Sequence, residues 1–332
     1  MTVQVTILGL GQIGASIGLA LGKHKDLVHR IGNDAEPMIA KRAEKMGAVD
    51  HIIFNLPAAV RQADLVILAL PVGEMHEVLK IISTELKEGA VIIDASNAKE
   101  AAARWAAELL TPARYFVAWT PTMNPAYLHD TISGLDSAHA DLFQDCLIFI
   151  TTPPGTPAPA IKLASDLTTL VNGKPFYADQ AEVDGLLAAN QLLPELTAAA
   201  LIHAIMNQPG WGEGRKLAGR QFAIATLPIQ GFDGNQTIAA AALENQANAV
   251  RVIDNLIASL THLRTAIQNN DANDLQEQIL QAQESRENWL GQRNVNDWAS
   301  IENPPNALPT AGEVLGRLVG FRPRPTPKDK KK

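Results

Sequence analysis

The chain has 332 residues, more than a single hydrophobic core supports, so two domains plus appendages are expected. Hydrophobic residues make up 46% and charged residues 19%, proportions of a globular protein that exclude wholesale disorder. The formal net charge of −7 leaves no basic footprint for nucleic acid.

The first residues run straight into Val3–Leu8, read as a strand, with no leader pattern, and no uninterrupted apolar run is long enough to span a bilayer. A cytoplasmic protein with no membrane partner is expected. Gln12–Leu21 reads as a helix, Leu27–Ile31 as a second strand and Pro37–Met46 as a second helix. Leu65–Leu70 and Val91–Ile93 are continuous apolar runs, the form of strands buried on both faces of a parallel sheet. Tyr115–Trp119 and Leu147–Thr151 continue the series, and a helix at Ala158–Val171 and a short strand at Phe176–Ala178 close it. Strands alternating with helices predict an α/β fold, an N-terminal Rossmann doubly wound parallel sheet over residues 1–179.

Strand signals then fade. Val183–Asn207, Thr237–Ile267 and Leu275–Trp289 carry helical spacing, and the Gly- and Pro-rich Gln208–Asn235 reads as a connecting loop. An all-helical domain over residues 180–290 is expected, completing its core in a homodimer. Residues 291–332 form a Pro-rich, basic extension, with one short helix at Glu313–Val319 and a solvated lysine tail.

The segment Gly9-Leu10-Gly11-Gln12-Ile13-Gly14 sits where the first strand turns into the first helix. Gly9 permits the tight turn, Gly11 lets the backbone approach a pyrophosphate, and Gly14 lets helix and strand pack closely. The helix start offers unpaired N–H groups and partial positive charge to the phosphates. Asp34 follows the second strand, where a carboxylate accepts hydrogen bonds from a ribose and repels a 2′-phosphate. NAD is therefore favoured, while Arg30 and Lys41 nearby leave NADP open. Ligands of such sheets lie beyond the carboxyl ends of the strands, which adds Leu70, Pro71 and Ser96 to the expected cofactor contacts. No metal-binding spacing is present. Cys146, inside an apolar run, reads as a small buried hydrophobe rather than a nucleophile.

Across residues 3–290 the chain resembles the prephenate/arogenate dehydrogenase family of tyrosine biosynthesis. The resemblance rests on Gly9 through Ser16, Leu68-Ala69-Leu70-Pro71, Asp94-Ala95-Ser96-Asn97-Ala98-Lys99, Asp141-Leu142-Phe143, Leu193-Pro194-Glu195 and Leu243-Glu244-Asn245. It implies a Rossmann domain joined to a helical dimerisation domain. The implied reaction oxidises a cyclohexadienol: hydride leaves for the nicotinamide, CO₂ is lost, and the ring becomes aromatic. The family's catalytic histidine, in a His-Pro pair, corresponds to Thr120-Pro121 here, and its supporting serine to Asn97, beside Ser96. A second family histidine corresponds to Glu195, and the substrate-anchoring arginine falls near Ala223, with Arg220 just upstream.

The implied site is Asn97, Thr120, Glu195 and Arg220, acting on a small carboxylate substrate. Glu195 is either a base raised by burial or a solvated helix carboxylate. His129, His203 and His262 are read as loop, surface or satisfied core residues, and Lys99 as an exposed helix-start lysine. Arg215, Lys216 and Arg220, in a segment expected to border the interdomain cleft, are candidates for binding a substrate carboxylate. Trp119 and Trp211 serve as cleft walls or as packing. Two alternatives remain: a diverged dehydrogenase for another small hydroxy or amino acid, with Glu195 or His129 as base, and a catalytically silent dinucleotide-binding protein.

Overall fold

The computed structural model describes residues 2–230, 235–296 and 298. The Glu313–Val319 helix, both proline clusters and the lysine tail lie outside the described residues. The chain divides into two compact units, Met1–Gln278 and Ile279–Lys332. The first contains the sheet and most of the helical half; the second begins within the last described helix.

The sheet has eight strands: β1 Val3–Leu8, β2 Val28–Asn33, β3 His51–Ile52, β4 Leu65–Leu68, β5 Val91–Asp94, β6 Tyr115–Pro121, β7 Leu147–Thr151 and β8 Lys174–Tyr177. Their spatial order is β3-β2-β1-β4-β5-β6-β7-β8, so the chain reverses direction of growth between β1 and β4. The strands from β3 to β6 are parallel, but β7 runs antiparallel to β6, which corrects the wholly parallel sheet expected from the sequence. The reason is the connection between β6 and β7, which holds two short 3₁₀ turns and no α-helix to carry a crossover.

Continuous apolar runs account for the centre of the sheet: every residue of β4 and β5 is buried. One face packs on α1 (Gln12–Leu21), α2 (Pro37–Met46) and α6 (Ala158–Leu170) through Ile17, Ala40 and Leu167. The other packs on α3 (Leu56–Val60), α4 (Val72–Ile82) and α5 (Lys99–Leu109) through Val60, Leu79 and Ala102. Arg30 is fully buried in β2, where it pairs with Asp50 and donates to the carbonyls of Gly18 and Gly47. It is a core residue, not the cofactor neighbour expected from its position.

In the helical half, α7 (Gln180–Leu187) continues through one π-helical turn into α8 (Leu193–Met206). This 27-residue run has the length and apolar composition to cross a membrane, although polar residues punctuate it and it contains no long uninterrupted apolar stretch. The segment expected to be loop contains two short helices, α9 (Trp211–Gly214) and α10 (Arg220–Thr226). The long helix expected at Thr237–Ile267 is two, α11 (Asn235–Glu244) and α12 (Gln246–Gln268), broken at Asn245. The last helix, α13, covers Ala272–Val295. Val72, Ala98 and Ala101, at the starts of α4 and α5, share a small core with Leu192, Ile238, Ala241 and Ala249 of the helical half.

Candidate functional site

The parallel register places Leu8, Leu68, Asp94 and Ala118 side by side, so the segments that follow them emerge at one edge of the sheet. That edge collects Gly9–Gly14, Leu70-Pro71, Ser96-Asn97 and Thr120, the places where a ligand of an open α/β sheet is held.

The glycine turn has three distinct geometries. Gly9 has φ +88, and a Cβ there would lie 2.2 Å from the Ala69 carbonyl oxygen, so the β1 turn passes directly against the β4 turn. A Cβ on Gly14 would lie 1.9 Å from the Gly9 carbonyl oxygen, which fixes α1 hard against the loop. At Gly11 nothing lies within 4 Å of the added atom. Packing therefore explains Gly9 and Gly14 but not Gly11, whose bare Cα faces open space at the start of α1. That start has no side-chain cap. Uncapped N–H groups and an open cradle fit a pyrophosphate.

Asp34 holds the loop from the β2 side. One carboxylate oxygen accepts from Leu10 N and the other from Glu36 N, both at 2.8 Å. Each oxygen keeps a further lone pair for a ribose hydroxyl. The Gln12 side chain donates to the Ser137 carbonyl and Ile13 packs against the core, while both residues belong to the uncapped first turn of α1. His139 N donates to Ser16 Oγ, and Arg42 pairs with Asp136, so the β6–β7 connection is strapped across α1 and α2. Within that strap Tyr127 donates to Asp141 at 2.6 Å, a bond that, with burial, pushes the Tyr127 hydroxyl up to about 12.

At the β5 and β6 ends, the Ser96 and Thr120 hydroxyls are buried and without a hydrogen-bond partner. Buried orphan hydroxyls are uncommon and fit a site that a ligand completes. Asn97 is half-buried. Lys99 is completely buried, with Nζ 3.0 Å from both the carboxylate and the carbonyl of Asp94, so it is not the exposed lysine expected of a helix start. Its backbone N and that of Glu100 donate to the Asp184 carboxylate of α7. The sequence reading passed over Asp184; a lone carboxylate in Val183-Asp184-Gly185-Leu186-Leu187 was the available signal.

Glu195 is half-buried in the first turn of α8, between Leu192 and Leu196, which pack on the starts of α4 and α5. An apolar hollow of about 440 Å³, lined by Leu196, Ile229, Ile238 and Ala239, opens beside that turn. Arg220 is exposed at the start of α10, Arg215 donates to the Gly212 carbonyl and Lys216 pairs with Glu213. His129, His203 and His262 are exposed. Trp119 is core packing, its indole N–H donating to Thr168 at 2.8 Å, and Trp211 tilts against Phe222. Cys146 is buried as expected. Among the described residues no cluster of His, Cys, Asp or Glu is arranged to hold a metal.

A Rossmann sheet with a glycine cradle at its switch point, faced by a helical half, defines the class of two-part dinucleotide-dependent dehydrogenases. Residues 17–177 match the nucleotide-binding domain model of prephenate dehydrogenase and residues 179–281 match its dimerization domain model. The chain belongs to the prephenate dehydrogenase family. It is 29% identical over 291 residues to the cyclohexadienyl dehydrogenase of Zymomonas mobilis, covering 85% of this chain and 94% of that protein. The prephenate dehydrogenase of Bacillus subtilis is 26% identical over 281 residues, covering 82% of this chain and 72% of its own. In fold, the chain is similar to the Aquifex aeolicus prephenate dehydrogenase solved with hydroxyphenyl propionate and NAD+ (TM-score 0.75, 22% identity, 87% of this chain and 98% of that one).

Proposed function

We propose that this protein is a cytoplasmic, homodimeric dehydrogenase that uses NAD to oxidise a cyclohexadienol carboxylate of the prephenate or arogenate type. The observation that carries the reading is the open cradle at Gly11, a glycine that internal packing leaves unexplained, at the switch point of a chain belonging to this family. The Aquifex relative, solved with NAD+, supports the coenzyme, and Asp34 supports NAD over NADP. The family's dimerization domain, matched over residues 179–281, supports the homodimer and gives the apolar α7–α8 run an occupant other than lipid.

In this reading residues 1–179 bind the coenzyme and residues 180–290 complete the substrate cleft. Gly9–Gly14 and the start of α1 hold the pyrophosphate, Asp34 the adenosine ribose, and Leu70, Pro71, Ser96 and Asn97 the nicotinamide end. When bound, the coenzyme supplies a hydride acceptor. Thr120 directs its buried hydroxyl at the substrate hydroxyl. Glu195 accepts the proton released there, and Arg220 holds a substrate carboxylate. Loss of hydride and CO₂ leaves an aromatic ring, and the proton held by Glu195 returns to the phenol oxygen.

A second reading is favoured by one observation: Thr120 and Glu195 stand where the resemblance places histidines. Under it the same fold oxidises another small hydroxy or amino acid, with Glu195 as base. Steady-state turnover of prephenate and arogenate with NAD+ and NADP+ tests the choice. Turnover with NAD+ on either substrate is expected; intact NAD+ binding without turnover on both selects the second reading, or a silent binding protein if no substrate is found.

A further inference from the structure

We propose that Asp184 is a positioning residue: by gripping the first two N–H groups of α5 from the helical half, it fixes the loop that carries Ser96 and Asn97. The inference rests on the dinucleotide reading above and adds a residue to it. The N-terminal flank of α5 is Ala98, which has no side chain to cap the helix. The cap comes instead from 85 positions along the chain: Asp184 Oδ1 accepts from Lys99 N at 2.6 Å and Oδ2 from Glu100 N at 2.8 Å. A carboxylate taking two backbone donors at a helix start makes charge-assisted bonds and meets the positive end of the helix dipole.

The residue that carries this carboxylate is itself held through its backbone. Asp184 is 1% exposed, the Asn245 side chain donates to its carbonyl at 2.8 Å, and Asn248 donates to Asn245 Oδ1. Burial pushes the Asp184 carboxyl up, while the N–H donors of Glu100 and Lys99 act against it. Asn245, whose side chain reaches the Asp184 carbonyl, stands at the break between α11 and α12 with non-helical geometry (φ −119, ψ 41).

The loop is pinned at its other end as well. Asp94, the last residue of β5, accepts from Ser96 N at 2.8 Å and from the buried Lys99 ammonium. Ser96 and Asn97 are thus suspended between a strand end and a helix start, one tied by Asp94–Lys99 and the other by Asp184. The second half of a Rossmann sheet, here β4 to β6, receives the nicotinamide nucleotide, while the half around β1 and β2 receives the adenosine. Loosening Asp184 therefore disturbs one half of the site and spares the other.

The test compares NAD+ with ADP-ribose, which lacks the nicotinamide, in calorimetric titrations of the full chain and its Asp184→Ala, Asp184→Asn and Asn245→Ala variants. Asp184→Ala is expected to keep its ADP-ribose affinity within about twofold and to lose about tenfold for NAD+, the scale of one charge-assisted bond. Asp184→Asn, which keeps one acceptor, falls between wild type and Ala, and Asn245→Ala shifts in the same direction by less. These two carry the test if Asp184→Ala does not fold. Parallel losses for both ligands, or none for either, overturn the inference and leave Asp184 a structural cap. A wild-type protein that binds neither ligand overturns the dinucleotide reading and the inference with it.

Discussion

The two halves of the first unit treat their apolar residues differently. In the sheet half, β4 and β5 are buried at every position, and the helices on both faces close two continuous cores. In the helical half, α8 has 14 residues and buries only Ala198, and α12 buries three of its 23. Ile205, Met206, Ile257, Leu260 and Ile267 stand exposed there. The sheet half closes its two cores within one chain. The helical half, matched by a dimerization domain, has apolar surface left for a second copy.

The largest effects belong to the self-contained half. Gly14→Ala forces a Cβ against the Gly9 carbonyl and should cost more than about 4 kcal/mol, read as loss of a cooperative unfolding transition. Asp50→Ala strands the buried Arg30 guanidinium and should cost about 3–5 kcal/mol by urea denaturation. Burial pushes the Asp50 carboxyl up, but the hydrogen bonds from Arg30 outweigh it and hold the group below its ordinary value of 3.8. Its stabilising contribution is therefore complete above pH 3.8 and drains as the pH falls through the lowered folded value. Asp50→Asn should remove that acid dependence.

In the helical half the expected change is in assembly rather than in folding. Ile257→Arg with Leu260→Arg places two charges on half-exposed positions of α12. Sedimentation should show a shift from dimer to monomer while NAD+ affinity is retained; an unchanged dimer removes α12 from the interface. The smallest effect is in the strap. Tyr127→Phe removes the bond to Asp141 and should cost about 1 kcal/mol. Because the folded hydroxyl titrates near 12 rather than 10, that contribution is full below pH 10 and is lost as the pH rises toward 12.

Local chemistry made the sheet half legible. Gly9 to Gly14 and the apolar strands are recognisable from contiguous sequence and Asp34 from its place after the second strand, and the structure sets Asp34 against Leu10. The direction of β7 was hidden because Leu147–Thr151 has the same apolar pattern in either direction; the helix-free connection sets it. Lys99 and Arg30 were misread because their partners, Asp94 and Asp50, are known only once the chain folds. Asp184 and Asn245 lay hidden in helical runs for the same reason: their hydrogen bonds span 85 and 61 positions. Of the residues that the resemblance offers for chemistry, Thr120 and Asn97 fall at the sheet edge, Glu195 is half-buried in the first turn of α8, and Arg220 is exposed on α10.

Gly11→Ala is the most direct measurement, because the added methyl meets nothing within 4 Å inside the protein. Calorimetric titration of nucleotide-free wild type and variant with NAD+, beside their thermal unfolding, separates fold from function. The account predicts stability within about 1 kcal/mol of wild type and an affinity for NAD+ lower by about tenfold or more. An Ala variant that binds NAD+ as tightly as wild type would contradict it.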